Sequence, residues 1–358
     1  MAQMAPPRPL PEFSRILVRA TNWVGDAVMC LPALRALRER YPKAHITILA
    51  RPWVADLYRR EPFADSVMLL EGGRGAKDLG AKWARAKELR GRGFDCALLL
   101  QNAFEAALIA WLARIPVRIG YHRDGRGLLL TRAVTVPKAG ELPRHERFYY
   151  LELLRRAGVI GKLPESDAIR LDCAPRAREA GLRRYAEMGF SGGVIGVSPG
   201  AAFGTAKRWY PDRFAEAAVR LARQQGAAVA VFGSTGEREL CDGVTSAIGS
   251  QGIRVHDFAG ETTLSEFIDL AAACRLYLTN DSGAMHIASA LGVPTVAVFG
   301  ATDHIATGPT GAHSAIVRQE VECSPCKLRE CPIDHRCMTR VTVEQVVEVA
   351  RLLPGVKG

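Results

Sequence analysis

What this 358-residue chain lacks narrows it first. No apolar run reaches the roughly 20 residues that a membrane-spanning helix needs. Acidic residues are in short supply, 37 Asp and Glu against 48 Lys and Arg, which leaves a formal charge of +11. That surplus calls for an anionic partner: nucleic acid, a phosphorylated small molecule or an anionic membrane surface. There is no helix-turn-helix, RNA-recognition signature or zinc-finger helix, and the basic residues are spread instead of clustered, so no nucleic acid is expected. The first ten residues, Met1 to Leu10, are proline-rich and lack the apolar core of a secretory signal. Residues 1–14 therefore read as a disordered leader, the location as cytoplasmic and the nine cysteines as reduced.

What is present is a soluble-type composition, 48% hydrophobic and 24% charged, in a chain too long for one ordinary core. Short apolar runs alternate with helical patterns. Arg15–Arg19, His45–Leu49, Ser66–Leu70 and Cys96–Leu100 read as strands, with helices over 27–40, 53–60, 79–90 and 103–112. Such alternation predicts an α/β fold with a parallel sheet covered by helices. The turn Thr21-Asn22-Trp23-Val24-Gly25-Asp26 joins the first strand to its helix. Asp26 reads either as a helix cap or as a carboxylate at the carboxyl end of a strand, where open sheets place their chemistry. Two basic glycine-rich loops, 72–77 and 120–127, read as solvated surface or as grips on an anion, with Arg123 and Arg126 in the second.

After a helix over 145–157 the composition turns polar, and the domain boundary is placed at 172/173. A second alternating series starts at Val194–Val197. It feeds the loop Ser198–Trp209, rich in small residues and ending in Lys207-Arg208, which suits phosphates although it lacks the GxxxxGK[ST] spacing. The stretch Leu278–Gly300 reads as strand, turn, helix and strand without interruption. Asp281-Ser282-Gly283 opens its helix, so free amides and the dipole make a seat for a phosphate. His286, one turn in, reads as a phosphate contact or as a packed histidine. Downstream, Cys323, Cys326, Cys331, His335 and Cys337 lie within 15 residues. This is a zinc-type ligand set with unusual spacing, or a thiol-rich structural loop, and whether it holds a metal is left open.

Taken together and in order, the Thr21–Met29 turn, the Ser198–Trp209 loop, Asn280–His286 and the cysteine segment resemble the heptosyltransferases of glycosyltransferase family 9. The resemblance covers nearly all of the chain after the leader. The Asn22-Trp23-Val24-Gly25-Asp26 form and the cysteines look more like members that add a second heptose than those that add the first.

The resemblance implies the GT-B architecture, two Rossmann-like domains with parallel sheets facing across a cleft. An acceptor-side domain would span 15–172, and a nucleotide-sugar domain 173–340. The last helix, 341–358, would return to the first domain. It implies inverting transfer without a required cofactor or metal, from ADP-L-glycero-β-D-manno-heptose to the first heptose of the lipopolysaccharide inner core. Catalysis would fall to Asp26 and Lys207. Donor contacts would come from Thr205, Thr263, Leu264, Asp281, Ser282, Gly283 and His286. Arg123 and Arg126 would hold acceptor anions, and the positive charge would favour peripheral contact with the anionic inner membrane surface. A first-heptose transferase and a nucleotide-sugar epimerase of the same architecture are the alternatives.

Overall fold

The computed structural model describes residues 10–72, 79–164, 169–190 and 192–356. Most of the expected leader, the basic loop from Gly73 to Lys77 and the end of the polar linker at 165–167 lie outside the described residues. The chain divides into two compact units, 1–167 and 168–358.

In the first unit the strands are β1 (Arg15–Arg19), β2 (His45–Ala50), β3 (Ser66–Leu69), β4 (Cys96–Leu99), β5 (Val117–Tyr121) and β6 (Arg132–Val134). Every pairing is parallel, in the order β3-β2-β1-β4-β5-β6. β1 is central and buried on both faces from Ile16 onward, which is why it reads as an unbroken apolar run. The expected helix over 27–40 is two helices, Val24–Met29 and Leu31–Arg40, broken at Cys30 where Pro32 opens the second. Gly120 and Tyr121, read as loop, end β5.

The second unit repeats the plan with β7 (Val194–Ser198), β8 (Ala228–Val231), β9 (Val255–Asp257), β10 (Leu276–Asn280), β11 (Thr295–Phe299) and β12 (Ser314–Arg318). Its order, β12-β11-β10-β7-β8-β9, is the same pattern read from the other edge. Chain direction across each sheet reverses once, between β1 and β4 and between β7 and β10. Open α/β sheets bind ligands outside the carboxyl ends of the strands at such a point.

Two boundaries differ from expectation. The second unit begins before residue 173: the Leu171 amide donates to Ala290 O at 2.8 Å. The final helix, Val343–Leu352, packs within the second unit, against the helix Pro211–Gln225 and strands β11 and β12. Val343, Val346, Val347 and Ala350 share one core with Trp209, Leu221 and Val298, and this apolar face keeps the helix with the sheet it follows.

Candidate active site

In the first unit the turn after β1 is held from both sides. The buried Arg19 donates from Nη2 to Asn22 Oδ1 at 2.8 Å, and the Asn22 amide donates to Gln101 Oε1, beyond β4, at 3.1 Å. Burial, and next the charge of Arg51, push the Arg19 guanidinium down to about 10. Arg51 is buried as well; it donates to Gly72 O at 2.6 Å and lies 3.8 Å from Glu105, which Lys82 approaches at 3.9 Å.

Asp26 is half-buried and occupies the first turn of the helix Val24–Met29. The N-cap there is Trp23, which makes no side-chain cap bond. Asp26 is therefore not a cap. It places a carboxylate where the helix dipole favours negative charge, at the reversal point of the sheet. The fully buried Tyr150 hydroxyl is pushed well above its ordinary value by burial first and by the Asp26 charge second.

Arg123 and Arg126 part company. Arg123 is exposed, 3.4 Å from both Asp124 and the Tyr149 hydroxyl. Arg126 is wholly buried: Nε donates to Tyr121 O at 2.9 Å, Nη2 to Asn102 Oδ1 at 2.7 Å, and Nη1 to Gln101 O. Its fork is used up inside the protein, so the expected grip on an acceptor anion is corrected to an internal strut joining β5 to the turn after β4.

In the second unit the reversal point gathers most of the expected donor residues. Asn280, fully buried at the end of β10, donates from Nδ2 to Pro199 O at 2.7 Å and accepts the Trp209 amide at 2.8 Å, so it ties both ends of the loop after β7. Thr205, exposed, and Lys207 bound a single 3-10 turn in that loop. Lys207 Nζ donates to Asp281 Oδ2 at 2.6 Å and sits 5.0 Å from the Phe203 ring centroid. Asp281 is buried. Thr302 Oγ1 donates to the same Oδ2 at 2.5 Å, and Oδ1 accepts no hydrogen bond among the described residues. Ser282 is the N-cap of the helix Gly283–Ala290, its Oγ accepting the Met285 amide at 3.4 Å; His286 is buried one turn along.

Thr263 and Leu264 lie after β9, two strands from the reversal point. The Thr263 hydroxyl accepts from the Glu266 amide at 3.2 Å and donates to Glu266 Oε2 at 2.8 Å. That is a capping box, which engages the Thr263 hydroxyl at the helix start.

Thr302 and Glu237 escaped sequence reasoning, and Asn280 was given no role of its own within its motif. Thr302 steadies Asp281. Asn280 anchors the loop. Glu237 accepts from Ser234 N at 2.9 Å and from Ser234 Oγ at 2.8 Å with Oε2, while Oε1 lies so close to Gly200 that a Cβ there would collide with it. Only the Ser234-x-x-Glu237 spacing signalled Glu237, and that spacing also marks an ordinary cap.

The cysteine segment backs the loop that bears Lys207. Ala206 N donates to Arg329 O at 2.9 Å, Lys327 N to Ala301 O at 2.7 Å and His335 Nε2 to Ala206 O at 3.0 Å. A side chain at Gly204 would strike Arg329 O. Cys337 is pushed up to about 11, by burial and then by the neighbouring Cys323, Cys326 and Cys331. Among the described residues no three His, Cys, Asp or Glu side chains are arranged to hold a metal ion. Nor is any described helix long and apolar enough to cross a membrane.

With this geometry in place, similarity to known proteins is specific. Lipopolysaccharide heptosyltransferase 2 of Salmonella typhimurium is 33% identical over 308 residues, 85% of this chain and 88% of that one. The solved structure of Escherichia coli ADP-heptose lps heptosyltransferase II superposes with a TM-score of 0.78 at 28% identity, covering 94% of this chain and 97% of that one. A glycosyl transferase family 9 structure from Veillonella parvula shares the fold at a TM-score of 0.80 and 22% identity, covering 95% and 97%. The family profile described as glycosyltransferase family 9 (heptosyltransferase) matches residues 82–336. The profile spans most of the chain and the fold agrees, so this chain belongs to glycosyltransferase family 9, the heptosyltransferases.

Proposed function

We propose that the protein transfers L-glycero-D-manno-heptose from ADP-heptose to the first heptose of the lipopolysaccharide inner core, with inversion at the anomeric carbon. The observation that carries this reading is the Lys207–Asp281 pair beside the open helix N-terminus at Ser282–Gly283. The acceptor hydroxyl attacks the anomeric carbon, and Asp26 takes its proton as the new C–O bond forms. The bond from the anomeric carbon to the diphosphate breaks, and the departing ADP carries the electron pair. Lys207 turns from Asp281 to the diphosphate, joined by the amides of the helix Gly283–Ala290, so positive charge stands where negative charge grows. Asp281 Oδ1 is left for a hydroxyl of the donor sugar, and Thr302 keeps Oδ2 satisfied when Lys207 moves. The ribose diol falls to Glu237 Oε1. His286, buried beneath the helix start, supports the amides, and Thr205 and the backbone at Leu264 complete the donor contacts.

On the acceptor side Arg123 is the exposed cation for core carboxylates or phosphates, and the overall positive charge favours contact with the anionic inner membrane surface. The test is incubation of the purified protein with ADP-heptose and a core acceptor with or without its first heptose, read by glycolipid mass. Gain of one heptose on the mono-heptosylated acceptor alone is expected. Transfer to the heptose-free acceptor, or turnover of the donor with no acceptor present, would replace this reading with a first-heptose transferase or an epimerase respectively.

A further inference from the structure

Five tryptophans occur in the chain, and only Trp209 is buried. Trp23, Trp53, Trp83 and Trp111, all in the first unit, stand about half in solvent. A large apolar side chain exposed singly is ordinary, whereas indoles grouped beside a candidate site mark a contact surface. Trp23 follows β1 and Trp53 follows β2; both sit at the turns that frame Asp26.

Trp53 is not a loose surface ring. Its Nε1 donates to Asn22 O at 2.7 Å, and the Arg51 guanidinium lies 5.9 Å from its ring centroid. Asn22 is itself held by Arg19 and Gln101. The exposed indole is thus pinned to the strand-end framework that presents the base. Trp23 is the next residue, and its carbonyl accepts the Ala27 amide at 2.8 Å, fixing the start of the Asp26 helix.

We propose that Trp23 and Trp53 form a stacking platform for a pyranose ring of the acceptor saccharide, seating its attacking hydroxyl at Asp26. A pyranose carries a face of C–H groups whose slight positive charge matches the negative face of an indole. A rigid, half-exposed ring gives that contact with little ordering cost. An anionic bilayer is the poorer occupant: Trp53 has already committed its N–H inside the protein, whereas an indole in a membrane interface keeps that polar end for the wet side. This inference rests on the transferase reading above and adds the element that holds the acceptor ring.

The experiment compares the full-length protein with Trp53→Ala, Trp23→Ala, Trp53→Phe and the control Trp111→Ala, at the far end of the helix Phe104–Leu112. The acceptor is lipid-free mono-heptosylated core oligosaccharide, assayed for transfer and by quenching of tryptophan emission. Both alanine variants should raise the acceptor KM about tenfold, the order of a lost aromatic contact. ADP affinity should stay within about twofold, Trp53→Phe should recover most of the loss, and Trp111→Ala should behave as the unaltered protein. An unchanged acceptor KM, or equal losses for donor and acceptor, overturns the platform. A defect seen only with lipid-bearing acceptor in anionic phospholipid vesicles overturns it in favour of membrane docking. If the unaltered protein transfers no heptose but its emission is quenched by the oligosaccharide, and Trp53→Ala abolishes that response, the platform stands and the transferase reading falls.

Discussion

The two units share one strand order yet fill the carboxyl ends of their sheets with different chemistry. In the first, the buried polar side chains there are the cations Arg19, Arg51 and Arg126 with the neutral Thr21, and the exposed large side chains include tryptophans. In the second they are neutral hydrogen-bonding groups, Ser198, Thr279 and Asn280, with the single carboxylate Asp281; the exposed large apolar residues of that unit are aliphatic. Topology fixes where a ligand sits, and side chains fix what it is. Flat exposed rings suit the face of a sugar, while the buried cations, bonded to protein acceptors, brace the strand ends beneath them. A tied loop, a helix N-terminus and one cation suit a compact diphosphate.

The sharpest way to break this division is to silence each unit in turn. Asp26→Asn should cut kcat by about 10²–10⁴-fold, the usual contribution of a general base, with ADP binding by calorimetry unchanged; full activity would remove the base from the first unit. Lys207→Met should cut kcat by about 10²–10³-fold and weaken ADP binding as well. Arg126→Met tests whether the first unit's cations are structural. It strips Asn102 Oδ1 of its donor, leaves Tyr121 O and Gln101 O with only the amides of Arg123 and Ala103, and should cost about 2–4 kcal/mol in chemical denaturation, whereas Arg123→Met should leave stability alone and raise only the acceptor KM. Thr302→Val should lower kcat several-fold, about 1 kcal/mol for one hydrogen bond, and Thr302→Ser should restore it.

The smallest effect is with acid. Glu152 lies in the first unit's helix Arg147–Ala157. Burial pushes its carboxyl up, but bonds from Arg155 and Arg156 outweigh that and hold it below its ordinary value. A folded value below the unfolded one means that the stabilisation is complete above the unfolded value near 4.5 and is lost as the pH falls through the folded value. Thermal melts from pH 6 to pH 3 should therefore decline less steeply in Glu152→Gln, by about 1 kcal/mol for partners that are partly solvated.

How far the sequence reveals such a site depends on whether the signal is local. The placement of Asp26, Lys207 and Ser282–Gly283 on the polar connections that follow apolar strands was legible, because that pattern is written in a few consecutive residues. Both sheets were legible as alternation, although β5, β6 and β12 were too short or too mixed to stand out. Arg126 was misread because a loop arginine that turns back to bond Gln101 and Asn102 looks like one that faces water. At Thr263 the sequence did not announce the capping box that now engages its hydroxyl. Thr302 and Glu237 gain meaning only through partners 21 and 37 residues away, at Asp281 and Gly200. The final helix was assigned by resemblance against its own amphipathic pattern, and the pattern prevailed.

The double tie made by Asn280 bears on time as well as place. Because one buried amide group grips Pro199 and Trp209 together, both ends of the loop carrying Lys207 are fastened to the β7–β10 layer. The Lys207 side chain can then turn from Asp281 while those ends stay fastened, on the ps–ns scale of side-chain rotation. The Trp209 amide should exchange with solvent only through opening of the whole layer, among the slowest in the protein. Trp209 is in that sense a built-in clock for the integrity of the donor site.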